Sequence, residues 1–255
     1  ETNTFERLNA SMTTARGAAA GVFLASQQWV VIVGGASSLR LDPSAKIPVA
    51  AAADTGLNSY EVFDRVTNSF LDTTGSVAGG SKTMALKRVL PKVARMQDDT
   101  VHVYGGGPLP APQTGSGGVG YDIVDVFSPD ADLDGAGAFL RGGASLEMVE
   151  DRSGLSVTLI EISADNLARY LIWGGSGGKL LAEVYSASSL EKDGIHGSFR
   201  KVAVAGDVPP MTVLHDMARL GNGRFLLTGG VRLDGTVSSD DAYLVSLGDL
   251  DAEEI

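Results

Sequence analysis

Apolar and polar positions along this chain fall into short runs, and the runs recur. Four apolar runs end in a glycine pair: Trp29–Val33 before Gly34-Gly35, Val101–Tyr104 before Gly105-Gly106, Tyr170–Trp173 before Gly174-Gly175, and Arg224–Thr228 before Gly229-Gly230. Runs this short, rich in Val, Ile, Leu and aromatics, predict buried strands, not helices. Glycine pairs at their ends supply positive-φ backbone without a Cβ clash and so turn the chain sharply. Upstream of each pair lies a stretch that alternates apolar with polar or small residues, at 18–24, 91–96, 155–162 and 213–220. That alternation predicts a half-buried strand. Downstream, an acid is followed at the second position by an aromatic: Glu61 and Phe63, Asp125 and Phe127, Glu183 and Tyr185, Asp241 and Tyr243. These segments predict a third strand, and 70–72, 139–141 and 199–202 a fourth.

Evidence for helix is thin, because its best candidate, Ser81–Val93, carries Pro91 in its last turn. A pattern kept through unequal spacers marks one supersecondary unit used repeatedly. The pairs stand 71, 69 and 55 residues apart, and most of the variation falls in the Gly- and Pro-rich stretches 36–58 and 107–120. Loops of that kind are expected to emerge together on one face of the array. The last unit stops after its third strand, whereas Phe5–Leu8 reads as a fourth strand with no unit before it. The expectation is that this N-terminal strand completes the last sheet and closes a ring. The recurring acids are expected to meet Arg16, Arg95 and Arg219 of the first strands in buried, charge-assisted pairs.

Strand, Gly-Gly, acid-x-aromatic and then an aromatic strand resembles the kelch repeat, most closely over Leu214–Gly230 and, for the third strand, over Asn58–Asp64 and Leu181–Tyr185. The resemblance implies an all-β fold, a β-propeller of four-stranded antiparallel blades. It would form one domain over residues 1–255, with blades near 11–72, 84–141, 155–203 and 211–247, the last completed by 3–9. Kelch rings usually hold about six or seven blades of ~50 residues, so four visible units depart from the pattern. A kelch-like copper oxidase uses a cysteine crosslinked to tyrosine, and this chain has no cysteine, which excludes that site.

Composition adds limits. The 255 residues include 33 glycines, nearly twice the usual share of about 7%, in keeping with many tight turns. Net charge is −11, from 31 acids against 20 bases, with no basic block, so nucleic acid and anionic membranes are poor partners. No apolar run nears the ~20 residues of a membrane helix. The chain begins at Glu1 without a charged-then-apolar leader. It reads as a processed chain, and a secreted or cell-surface place is the expectation.

Candidate chemistry is sparse. Asp130, Asp132 and Asp134 alternate ahead of Gly135, as oxygen ligands do in loops that wrap Ca²⁺. Arg141 stands where an EF-hand would place its bidentate Glu, and turn chemistry alone also favours these residues. No other cofactor is expected. His102, His196 and His215 lack ligand spacing; His215-Asp216 could pair as base and orienter, with Tyr104 and Asp122 as further candidates at a channel mouth. The expected role is a non-enzymatic binding or scaffold module that presents loops 39–57 and 108–121 to a protein or glycan partner, oligomeric state open. The alternatives are a carbohydrate-active or isomerase-type enzyme and a Ca²⁺-dependent adhesion module.

Overall fold

The computed structural model describes residues 5–41, 48–50, 55–78, 80–107, 121–132, 135–140, 146–177, 181–188, 197–232 and 240–248. Among these residues the fold is all-β, with one 3₁₀ turn at Pro129–Ala131 and no α-helix. The glycine-pair runs sit at the centre of antiparallel sheets, as their largely apolar content predicts. In the first sheet the order is Ala20–Leu24, Trp29–Val33, Tyr60–Asp64, Ser69–Phe70. The second runs Lys92–Arg95, Val101–Tyr104, Tyr121–Ser128, Ala138–Leu140, with Gly80–Ser81 added at its outer edge. The third runs Ser156–Ile162, Ala168–Trp173, Ala182–Ala187, Gly197–Lys201. A fourth sheet has three described strands, Asp216–Gly221, Arg224–Thr228 and Ala242–Ser246.

Two features depart from expectation. Phe5–Leu8 forms no strand, and the Phe5 side chain is fully exposed. Nothing completes the fourth sheet among the described residues, and the four sheets do not close into a ring through that segment. A four-residue strand survives only through pairing and packing that its own sequence does not supply. The second departure is an unpredicted strand, Leu146–Ser153. It pairs with Tyr121–Val124, while the rest of that long strand, Asp125–Phe127, pairs with Val101–Val103.

Three apolar layers bind the sheets face to face. Val31, Val33, Tyr60 and Val62 meet Val101, Val103, Phe127 and Phe139. Ala94, Met96 and Val124 meet Leu155, Tyr170, Ile172 and Tyr185. Ile160, Leu171, Trp173 and Val184 meet Met217, Phe225 and Leu227. The first strands of successive sheets also lie against one another. One end of every sheet therefore gathers the start of its first strand, the end of its second and the start of its third.

Candidate functional site

At this common end each of the first three units builds the same clamp. Ala18, Leu90, Gly154 and Leu214 have φ of 54°, 57°, 69° and 62°. Such values are uncommon outside glycine, so their recurrence marks one repeated turn. Each stands two residues after Arg16, Arg88, Arg152 or Thr212. The turn lets the arginine fold back beneath the glycine pair. Nη1 of Arg16 donates to Gly34 O at 2.8 Å, that of Arg88 to Gly105 O at 2.5 Å, and that of Arg152 to Gly174 O at 2.6 Å. The same guanidinium groups lie 3.1 Å from Glu61, 2.7 Å from Asp125 and 2.7 Å from Glu183. Each acid also accepts a backbone N–H, from Thr14 at 2.9 Å, Ala85 at 2.8 Å and Val149 at 2.7 Å. Burial pushes the Glu183 carboxyl above the usual range, against the pull of Arg152 and the Val149 amide.

The partners differ from those expected for two of the acids. Arg16 pairs as predicted, but Arg95 lies in a hairpin at the other end of its sheet, 2.5 Å from Asp99. Arg219 is exposed on its strand. The residues equivalent to Arg16 are Arg88, for Asp125, and Arg152, for Glu183, where no first-strand arginine was expected; all three precede the first strand by a constant interval, Arg16 to Ala20, Arg88 to Lys92 and Arg152 to Ser156 being each four positions. The fourth unit breaks the rule. Thr212 replaces the arginine, and Asp241 instead lies 3.8 Å from Arg232, with both side chains about half exposed.

The glycine pairs interlock successive units. A Cβ on Gly34 would meet Arg88 O at 2.6 Å, one on Gly105 would meet Arg152 O at 2.6 Å, and one on Gly174 would meet Thr212 O at 3.0 Å and overlap the His215 ring. Each first glycine is thus seated on the clamp of the following unit.

His215 holds the position that Leu155 and Pro91 hold in the preceding units. It is buried, with Nε2 3.0 Å from both Ser156 Oγ and Trp173 O and Nδ1 3.2 Å from Thr212 Oγ1. Burial depresses its imidazole below the ordinary histidine value. It lines a cavity of about 350 Å³ around which the turns of all four units converge, through Ala18, Leu90, Gly154 and Leu214, together with Lys92.

The other predicted residues are not brought together there. Asp216 is exposed beside His215, and Tyr104 is buried between the second and third sheets against His102 and Phe199. Asp122 lies part-buried in Tyr121–Ser128. Asp132 pairs with Lys82, and Asp130 donates its backbone N–H to Ser128 Oγ at 3.3 Å. Asp134, His196 and most of loops 39–57 and 108–121 lie outside the described residues. Among the described residues no group of three or more His, Asp or Glu side chains could hold a metal ion, and no helix is long and apolar enough to cross a membrane.

No family model matches the chain, and no curated protein does either. Among solved structures it is similar to a fungal alcohol oxidase of the AA5 family in complex with copper. The identity is 12% and the TM-score 0.38, over 84% of this chain and 47% of that one. It is also similar to an exo-β-1,3-galactanase from Phanerochaete chrysosporium with β-1,3-galactotriose. Here identity is 13% and TM-score 0.42, over 87% of this chain and 44% of that one. The chain spans less than half the length of either structure.

Proposed function

We propose that the four sheets are successive blades of a kelch-like β-propeller, and that the chain is a non-enzymatic binding module. Its working face is the end where the second and third strands are joined. The observation that carries this reading is the threefold Arg–acid–Gly-Gly clamp. It commits the recurring ionisable groups to holding the strand ends rigid, at the face from which the unequal segments 36–58 and 107–120 depart. Loops on a preorganised rim lose less entropy on binding than loops on a mobile one. Sparse charge and several prolines in those segments suit a protein or glycan surface.

The cavity at His215 supports the competing enzymatic reading, because it holds an imidazole near a lysine. Screening a glycan panel for both binding and hydrolysis separates the two. The binding reading expects retention of a glycan or protein without turnover, and loss of retention when 108–113 is replaced by Gly and Ser at unchanged melting temperature. Turnover abolished by His215→Ala overturns it.

A further inference from the structure

Three joints hold the four units in sequence, and the third is unlike the others. In the first, a Cβ on Gly34 would meet Pro91 Cγ at 3.3 Å, and in the second one on Gly105 would meet Leu155 Cδ2 at 2.5 Å. In the third the seat under Gly174 is the His215 ring. The following unit brings a buried guanidinium, paired with an acid, to each of the first two joints: Arg88 with Asp125 and Arg152 with Glu183. To the third it brings Thr212. The backbone bonds across the first and third joints are otherwise the same. Gly35 N–H donates to Arg88 O at 2.8 Å and Leu90 N–H to Ala18 O at 3.0 Å. Gly175 N–H donates to Thr212 O, and Leu214 N–H to Gly154 O, both at 3.0 Å. The third joint is the first with its ion pair removed and a titratable ring set in place of an apolar seat.

The surroundings of His215 suit the neutral ring. Trp173 O can only accept, so Nε2 carries the proton and Nδ1 accepts from the Thr212 hydroxyl. A second proton makes Nδ1 a donor, and the Thr212 hydroxyl must then turn its own proton away. The charged groups around the ring do little to hold an imidazolium. Lys92 of the second unit lines the same cavity and opposes it, while Asp216 of the fourth favours it but is exposed. Glu183 of the third unit is committed to Arg152 and the Val149 N–H. The first unit contributes Ala18–Gly21, whose side chains do not titrate. The Trp173 and Thr212 carbonyls pull toward the cation, against the larger effect of burial. A further cost falls on the closed joint, because Trp173 Nε1 is buried there without a hydrogen-bond partner among the described residues.

We infer that the third joint is an acid-operated hinge: protonation of His215 releases Gly174-Gly175 from the fourth unit, and the fourth sheet parts from the third while the first joint stays closed. At neutral pH the apolar layer of Leu171, Trp173, Met217, Phe225 and Leu227 keeps the open form a minor state. In that form the ring meets water and titrates near its ordinary value of about 6.5, so below this pH the open form binds more protons than the closed one. Opening is therefore favoured by up to about tenfold for each pH unit of acidification. The inference concerns the movement of the joint and stands whether or not the face binds a partner.

Amide exchange of the full chain, corrected for the intrinsic rate and followed from pH ~7.5 to ~5, tests it against an internal control. Gly175 and Leu214 are expected to lose protection by up to about tenfold per pH unit, whereas Gly35 and Leu90, which make the same bonds at the first joint, keep theirs. Trp29→Phe leaves Trp173 as the one tryptophan, and its emission is expected to shift to the red over the same range. Both responses are expected to vanish in His215→Leu, which copies Leu155, and in His215→Gln, which keeps a neutral donor for Trp173 O. An unresponsive wild type, equal loss of protection at Gly35 and Leu90, or an acid response that survives both substitutions overturns the inference.

Discussion

Removing Arg152 tests whether the clamps are structural. Its guanidinium is fully buried, and so is Glu183. Arg152→Ala deletes the 2.7 Å bond to Glu183 Oε1 and the 2.6 Å bond to Gly174 O. The carboxylate is left inside the protein with the Val149 N–H at 2.7 Å as its remaining described donor. Breaking one side of a buried pair in this way costs about 3–5 kcal/mol, because the orphaned charge keeps its desolvation penalty. For a chain of this length each kcal/mol moves the melting temperature by about 2–4 °C, so a fall of about 6–20 °C is expected. Denaturant unfolding at several pH values supplies the second half of the test. Burial already raises Glu183 above its unfolded value, and loss of Arg152 raises it further. A carboxyl raised in the folded state binds more protons there than when unfolded, so stability falls as pH rises through that window. The deficit of Arg152→Ala should therefore be largest at neutral pH and shrink on acidification, as Glu183 takes up a proton. Arg152→Met with Glu183→Leu should recover most of the loss, since an apolar pair of similar volume removes both desolvation costs. A single-variant cost under about 1 kcal/mol, the usual worth of an exposed pair, or a deficit that grows in acid, refutes the argument.

Asp241→Asn serves as the counterpart in the fourth unit: its partner Arg232 is 3.8 Å away and both are half exposed, so a change within about 1 kcal/mol is expected in chemical denaturation. His215→Leu should flatten the pH dependence of stability. Because burial depresses the folded imidazole, the wild type loses stability as pH falls through the ordinary value of 6.5, and a leucine, as at 155, removes that slope. Gly174→Ala meets Thr212 O at 3.0 Å and the His215 ring at a φ of +64°, so it should cost several kcal/mol by calorimetry, more than the φ strain of about 1–2 kcal/mol alone. Asp132 is already paired with Lys82, so EDTA and added Ca²⁺ are expected to leave the melting temperature unchanged. An upward shift with Ca²⁺ would favour the adhesion reading of Asp130, Asp132 and Asp134.

What the sequence revealed and what it hid follow from the range of the interactions involved. The glycine pairs and the acids Glu61, Asp125 and Glu183 were legible because each keeps its place within a strand, the pair closing the second and the acid standing two residues before an aromatic in the third, whatever the length between them. Their partners were less so. Arg95 and Arg219 lie on first strands and look equivalent to Arg16, but position on a strand is not what places the guanidinium. A left-handed turn two residues later does that, and at Ala18 and Leu90 it is imposed on residues that give no sign of it. The constant interval of four from arginine to strand was the available signal, and only Gly154 advertised the turn in its residue type. The same reasoning explains Phe5 and Leu146–Ser153. A strand at an edge is decided by its neighbour: Phe5–Leu8 carries the fourth-strand pattern without a described partner, and Leu146–Ser153 has a partner but no repeat elsewhere in the chain to announce it. Thr212 shows the converse. By dropping the arginine, the fourth unit gives up its buried ion pair and admits His215 beneath Gly174 in place of leucine, so the irregular clamp is also the one that brings a titratable ring to the cavity where the four turns converge.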